Sequence, residues 1–177
     1  MKKTLIILAI FFSFLIIYFF QVDFFNWFTI GGIKPNLFVI FILFLNLFCG
    51  KKIGISFAVF TGLFLDIVLG RNIGTYTIMF CLISAFGLYL DKNFSKDSRL
   101  TIMLMVMIST IIFELGYYLI SIAVLKINIE IFQFIRILII ETIFNAILTI
   151  ILNPIVQKIG YNMEEIFKEQ VILTRYF

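Results

Sequence analysis

Long apolar runs, broken only by short polar gaps, constrain this chain more than any other feature. From Leu5 to Phe20 only Ser13 falls outside the apolar set, and comparable runs recur to the end of the sequence. Apolar residues make up 63% of the chain and charged residues 14%, against roughly 25% charged in an average soluble domain. A soluble domain of this size has too little interior to hide that much apolar surface. In a hydrocarbon solvent the difficulty disappears, but every backbone polar group must then pair within the protein, which leaves helices or closed barrels. Barrel strands alternate apolar and polar residues. These runs do not alternate, so the expected fold is an all-α integral membrane protein.

Six apolar segments stand out: Thr4–Val22, Pro35–Phe48, Ile53–Leu69, Gly74–Leu90, Leu100–Leu125 and Phe134–Val156. Together they predict a six-transmembrane-helix bundle as a single domain over residues 1–160, with a short cytoplasmic tail at 161–177. The second segment falls short of the about 20 residues that cross a bilayer, and Pro35 suits its first turn because proline has no N–H to leave unpaired there. If that segment were re-entrant there would be five crossings, and the basic residues would divide less cleanly. The first segment follows Lys2 and Lys3, but no small-residue cleavage site comes after it, which predicts a retained helix. In the tail, Met163, Ile166, Phe167 and Val171 recur at helical spacing beside Glu164, Glu165, Lys168 and Glu169. A surface helix on the inner leaflet and a frayed end both fit that pattern.

Basic residues sort by side of the membrane. With the N-terminus inside, ten of the fourteen Lys and Arg lie on the inner side: Lys2, Lys3, Lys51, Lys52, Lys92, Lys96, Arg99, Lys158, Lys168 and Arg175. Lys34, Arg71 and Lys126 lie outside, and Arg136 lies just within the last segment. This asymmetry predicts cytoplasmic termini in a bacterial inner membrane, and it explains the basic balance without nucleic acid. Phe24, Phe25, Trp27 and Phe28 predict a first outer loop lying along the interface. Cys49 and Cys81 lack CxxC spacing and the chain has no histidine, so no metal or cofactor site is expected and both cysteines read as packing residues.

Asp66, Glu114 and Glu141 fall inside the apolar segments. Each costs roughly 2.5–3.5 kcal/mol to bury there, so none should face lipid. Glu141, Asn145, Thr149, Asn153 and Gln157 recur every fourth residue and share one face of the last helix, with Arg136 about a turn outward and Pro154 expected to kink or end the helix. Thr110, Glu114, Tyr117 and Ser121 mark one face of the fifth. Gly54, Ala58, Gly62, Asp66 and Gly70 form a small-residue stripe on the third, and such stripes admit a close helix. These three faces are expected to meet in a polar interior. Three roles are open to it: helix-to-helix hydrogen bonds, a ligand pocket or partner groove, and a proton or ion path. The small-residue stripe likewise serves either a partner or the chain's own packing. In the first case Gly62→Leu would weaken a complex more than Gly87→Leu; in the second it would lower the protein's own stability. No nucleophile–base pair, phosphate loop or metal motif points to catalysis.

Read in order, these motifs resemble the MreD family of rod shape-determining proteins. Lys34-Pro35-Asn36-Leu37 opens the second segment where the family has Pro-Asp-Leu, with Asn36 in place of the acid. Gly62-Leu63-Phe64-Leu65-Asp66-Ile67-Val68-Leu69-Gly70, then Ile73-Gly74, is similar to the family's central Gly-x-x-x-Asp…Gly…Gly block, and Asn145 and Pro154 fit its C-terminal pattern. The resemblance implies a non-enzymatic membrane scaffold of the cell-elongation machinery that helps direct lateral peptidoglycan synthesis. Its partners would be a single-span MreC-like protein, the MreB filament, and RodA with its penicillin-binding protein. It also implies a fold similar to the substrate-binding subunits of energy-coupling-factor vitamin transporters, which supplies a rival function. Those subunits carry an Ala-x-x-x-Ala pair in the first helix, where this chain has Ala9 and Ser13.

Overall fold

The structure, a computed structural model, describes residues 2–69, 74–124 and 130–172. Gly70, Arg71, Ile73, Leu125, Lys126 and Arg175, to which the sequence assigns places, lie outside the described residues. Among the described residues the fold is all helix, apart from one isolated bridge between Ile30 and Ile33. Six helical segments follow one another in the expected order: α1 Lys2–Phe19, α2 over 37–49, α3 over 51–69, α4 Thr75–Asn93, α5 Arg99–Ala123 and α6 Ile131–Ile172.

Among the described residues, four stretches are long and apolar enough to cross a membrane: Lys3–Trp27, Leu37–Leu69, Arg99–Ala123 and Ile131–Lys168. The second of these is a hairpin of two helices. At Gly50 the backbone leaves the helical region (φ 78°, ψ −176°), a conformation that only glycine adopts at little cost. The chain then returns antiparallel, so that Gly54 lies against Asn46 and the Phe41 and Phe57 rings sit 6.4 Å apart. α2 is apolar all round except at Asn46 and forms the axis of the bundle, with every residue from Leu37 to Cys49 except Phe41 buried. A helix that is hydrophobic on every side needs neighbours on every side. At 1.5 Å per residue α2 is about 20 Å long, short for a bilayer but long enough for an axis.

Segment ends differ from the sequence reading in three places. α1 does not stop at Val22: it passes through a π-helical turn at Phe20–Phe24 and on to Trp27, so helix takes in the first residues of the expected interfacial loop. The rest of that connection closes in a tight turn. Ile30 and Ile33 exchange backbone hydrogen bonds of 2.9 and 3.1 Å around Gly31 and Gly32, both at positive φ, as a two-residue turn of this hand requires. α2 begins at Leu37 rather than Pro35, because the Asn36 side chain accepts the Val39 N–H at 3.3 Å and caps the helix. α6 runs through Pro154 to Ile172 without ending.

The remaining helices wrap α2 with one face each. α4 turns Met79, Phe80, Ile83, Ser84, Gly87 and Leu90 inward, and α5 turns Ile102, Met105, Val106, Ser109, Thr110 and Phe113 inward, at the three- and four-residue steps of a helix stripe. Large apolar side chains such as Leu8, Phe12, Ile67, Leu119 and Ile151 stand exposed around the outside. That is the arrangement of a bundle solvated by lipid.

Candidate functional site

Two ends of the bundle carry polar chemistry. At one end lie the α2–α3 turn, the α4–α5 connection and the far part of α6. Lys96 and Lys168 both donate to the Leu47 carbonyl, at 2.9 and 2.7 Å, meeting the orphan acceptors at the end of α2. The same lysines pair with Asp91 at 3.2 and 2.6 Å and with Glu164 at 2.5 and 3.5 Å. Burial pushes the Lys96 ammonium down, but its hydrogen bond to Glu164 and its attraction to Asp91 and Glu164 outweigh that and hold it above its ordinary value. Asp97, hydrogen-bonded by Ser95 and then by Tyr161, is held below the usual carboxylate range. Residues 161–168 are therefore docked on the chain's own turns, with Met163 and Phe167 packed beside Leu45 and Cys49.

At the opposite end the predicted acids divide. Asp66 is buried, and its carboxylate accepts the N–H groups of Gly74 (2.8 Å), Tyr76 (2.9 Å) and Thr77 (3.2 Å) and the Thr77 hydroxyl (2.6 Å). It thus caps α4 from the end of α3, where the first N–H groups of α4 have no partner within the helix. The small stripe below it is filled by this chain. A Cβ on Gly62 would lie 2.3 Å from the Thr77 Cα, one on Gly54 would lie 2.1 Å from the Asn46 side chain, and Ala58 is fully buried. Along Gly54, Ala58 and Gly62 the stripe packs against this chain's own Asn46 and Thr77. Gly87 is also closely packed: a Cβ there would lie 3.1 Å from the Asn46 and Leu43 side chains.

Glu114 and Glu141, by contrast, come together. Their carboxyl groups lie side by side, with the Asn36 side chain next to Glu141. Just beneath, the Asn145 carboxamide ties three helices: its Nδ2 donates to the Thr110 hydroxyl (2.9 Å) and its Oδ1 accepts the Asn36 N–H (2.9 Å). Thr149 turns back on its own helix and donates to the Asn145 carbonyl at 2.7 Å. Arg136 does not reach Glu141; its Nη2 donates to the Gly31 carbonyl at 3.2 Å. Above the acid pair opens a cavity of about 490 Å³, bounded by Gln21, Lys34, Asn36, Glu114, Tyr117 and Glu141 among others.

One fully buried polar group of the bundle has no place among the polar faces expected from the sequence. Asn46, fully buried on the axis helix, donates to the Ile42 carbonyl (2.7 Å) and accepts the Ser84 hydroxyl (3.0 Å). Its signal was present: it is the one polar side chain between Leu37 and Cys49.

A second, apolar cleft of about 410 Å³ lies between α1 and α6 over α2. It reaches from Phe20 and Phe25 near one end to Gly160 and Met163 near the other. Compared with known families, residues 1–161 match the family model of the rod shape-determining protein MreD. No curated protein matches the chain. No solved structure matches it either.

Proposed function

Because the chain belongs to the MreD family of rod shape-determining proteins, we propose that it acts as a non-enzymatic scaffold of the bacterial elongation complex, holding the membrane helix of a single-span MreC-like partner in the cleft between α1 and α6. The cleft carries this reading. Helices in lipid associate by close packing, with no water to drive them together. A preformed, laterally open channel along α6 supplies that packing to a visiting helix. From Leu148 to Met163, both on its wall, α6 climbs about 22 Å, most of the hydrocarbon thickness. The basic end of the bundle would face the cytoplasm, with six crossings and both termini inside. That end would lie nearest the MreB filament. RodA with its penicillin-binding protein would be reached through the partner. The vitamin-capturing alternative gains no support from the comparisons.

Bulk placed in the cleft tests the proposal. Ser13 and Ile159 line it and are exposed, so Ser13→Trp and Ile159→Trp should leave folding intact while reducing co-purification of the partner at least tenfold. Ile67→Trp, on an exposed position away from the cleft, should bind as the unaltered protein does. Full-strength binding by both cleft variants would reject the assignment.

A further inference from the structure

The geometry points to a binding site for a small organic ammonium cation in the cavity above Glu114 and Glu141, with the two carboxyl groups on its wall as the acceptor. Glu141 is only 7% exposed, and its Oε1 has no hydrogen-bond partner among the described residues. Two neighbouring carboxyl groups that share one proton keep a negative charge. A buried charge without a counter-ion is strongly unfavourable. Among the described residues no cation forms an ion pair with either acid. Arg136 is committed to the Gly31 carbonyl, and Lys34 donates to the Gln21 carbonyl and the Asn26 side chain, each at 3.2 Å. The ion pairs found among the described residues all lie at the other end of the bundle.

The walls narrow the ligand class. Tyr18, Phe38, Tyr76, Phe80, Phe113 and Tyr117 line the same cavity, and aromatic faces attract organic cations. A hard metal ion would need about six oxygen ligands, and no three-residue cluster of metal-ligating side chains exists among the described residues. The volume, about 490 Å³, is that of a small-molecule pocket and far above the roughly 30 Å³ of one water. Lys34, also on the wall, disfavours a dication and suits the anionic group of a zwitterion. A free amine and the ethanolamine headgroup of a lipid share this chemistry.

The test uses the full chain in maltoside micelles, which carry no amine. Phenylethylamine is titrated and followed by the melting temperature, with 2-phenylethanol as the uncharged control. In a parallel arm, native mass spectrometry records retention of phosphatidylethanolamine against phosphatidylglycerol. Saturable, charge-dependent binding in either arm supports the site, the amine arm assigning a soluble ligand and the lipid arm a headgroup. Glu141→Gln should weaken that binding at least tenfold. Tyr117→Leu, which removes an aromatic wall and leaves the acids in place, should weaken it severalfold and serves if Glu141→Gln does not fold. Absence of binding in both arms, equal binding of the alcohol, or unchanged binding in a folded variant would overturn the proposal.

Discussion

At the scale of single residues, the polar groups that look alike in the sequence do different work. Asp66 caps a helix with four accepted hydrogen bonds. Replacing it by leucine leaves those donors unpaired at a buried site, each worth about 1–3 kcal/mol when orphaned. Asp66→Leu should therefore lower the melting temperature in detergent sharply, and Asp66→Asn should do so less, since one acceptor oxygen remains. An unchanged melting temperature for Asp66→Leu would remove the capping role. Gly62 and Gly116 make a second contrast. A Cβ on Gly62 meets the Thr77 backbone at 2.3 Å, whereas one on Gly116 meets the end of the Met79 side chain at 2.3 Å. Backbone cannot retreat as a methionine tip can. Gly62→Ala should cost several times what Gly116→Ala does, read as loss of folded protein on heating.

At the scale of elements, α6 shows how tertiary contacts override local signals. Pro154 removes one helical hydrogen bond, and from sequence it reads as a kink or an end. The helix continues because residues beyond it are held from the side. Gln157 donates to the Lys96 carbonyl at 3.1 Å, Tyr161 to Asp97 at 2.8 Å, and Lys168 reaches Asp91 and Leu47. These pairings join positions more than 60 residues apart, which no reading of local period detects. A double-mutant cycle between Lys96 and Glu164 should show coupling of about 1 kcal/mol, an exposed-to-partly-buried value. The pH dependence has a definite sign at each position. Lys96 is held above its ordinary 10.5, so its contribution is complete below that value and is lost as pH rises through the folded one. Asp97 is held below its ordinary 3.8, so its contribution is complete above that value and is lost only as acid carries the pH through the folded one. Stability curves of Lys96→Met and Asp97→Asn should therefore part from the unaltered protein's curve at opposite extremes: the Lys96→Met gap closes in alkali and the Asp97→Asn gap in acid.

At the scale of the whole molecule, what the sequence made legible was segmentation and what it hid was partnership. Apolar runs marked all six helices in order, and the Gly50-Lys51-Lys52 gap fell on the hairpin turn. That Glu114 and Glu141 would lie inward followed from the cost of burial alone. Their pairing with each other and with Asn36, and the assignment of Asp66 to a different task, depend on how helices rotate about the axis. That rotation is set by shape, through Gly54 and Gly87 closing on Asn46, and shape is not written in a hydropathy pattern. The small-residue stripe was equally consistent with a partner and with internal packing, and only the backbone contact at Thr77 separates them. The surface left open is the long apolar cleft beside α1, a helix whose outward side chains stand exposed along most of its length.

The central claim is that this cleft seats the membrane helix of a single-span MreC-like partner. It is tested most directly by photo-crosslinking in growing cells from a benzophenone amino acid placed at Ile16 or Ile159 on the cleft, and at Ile67 away from it. The account predicts an adduct with the partner from Ile16 and Ile159 and none from Ile67. An adduct from Ile67 with none from either cleft position would contradict it.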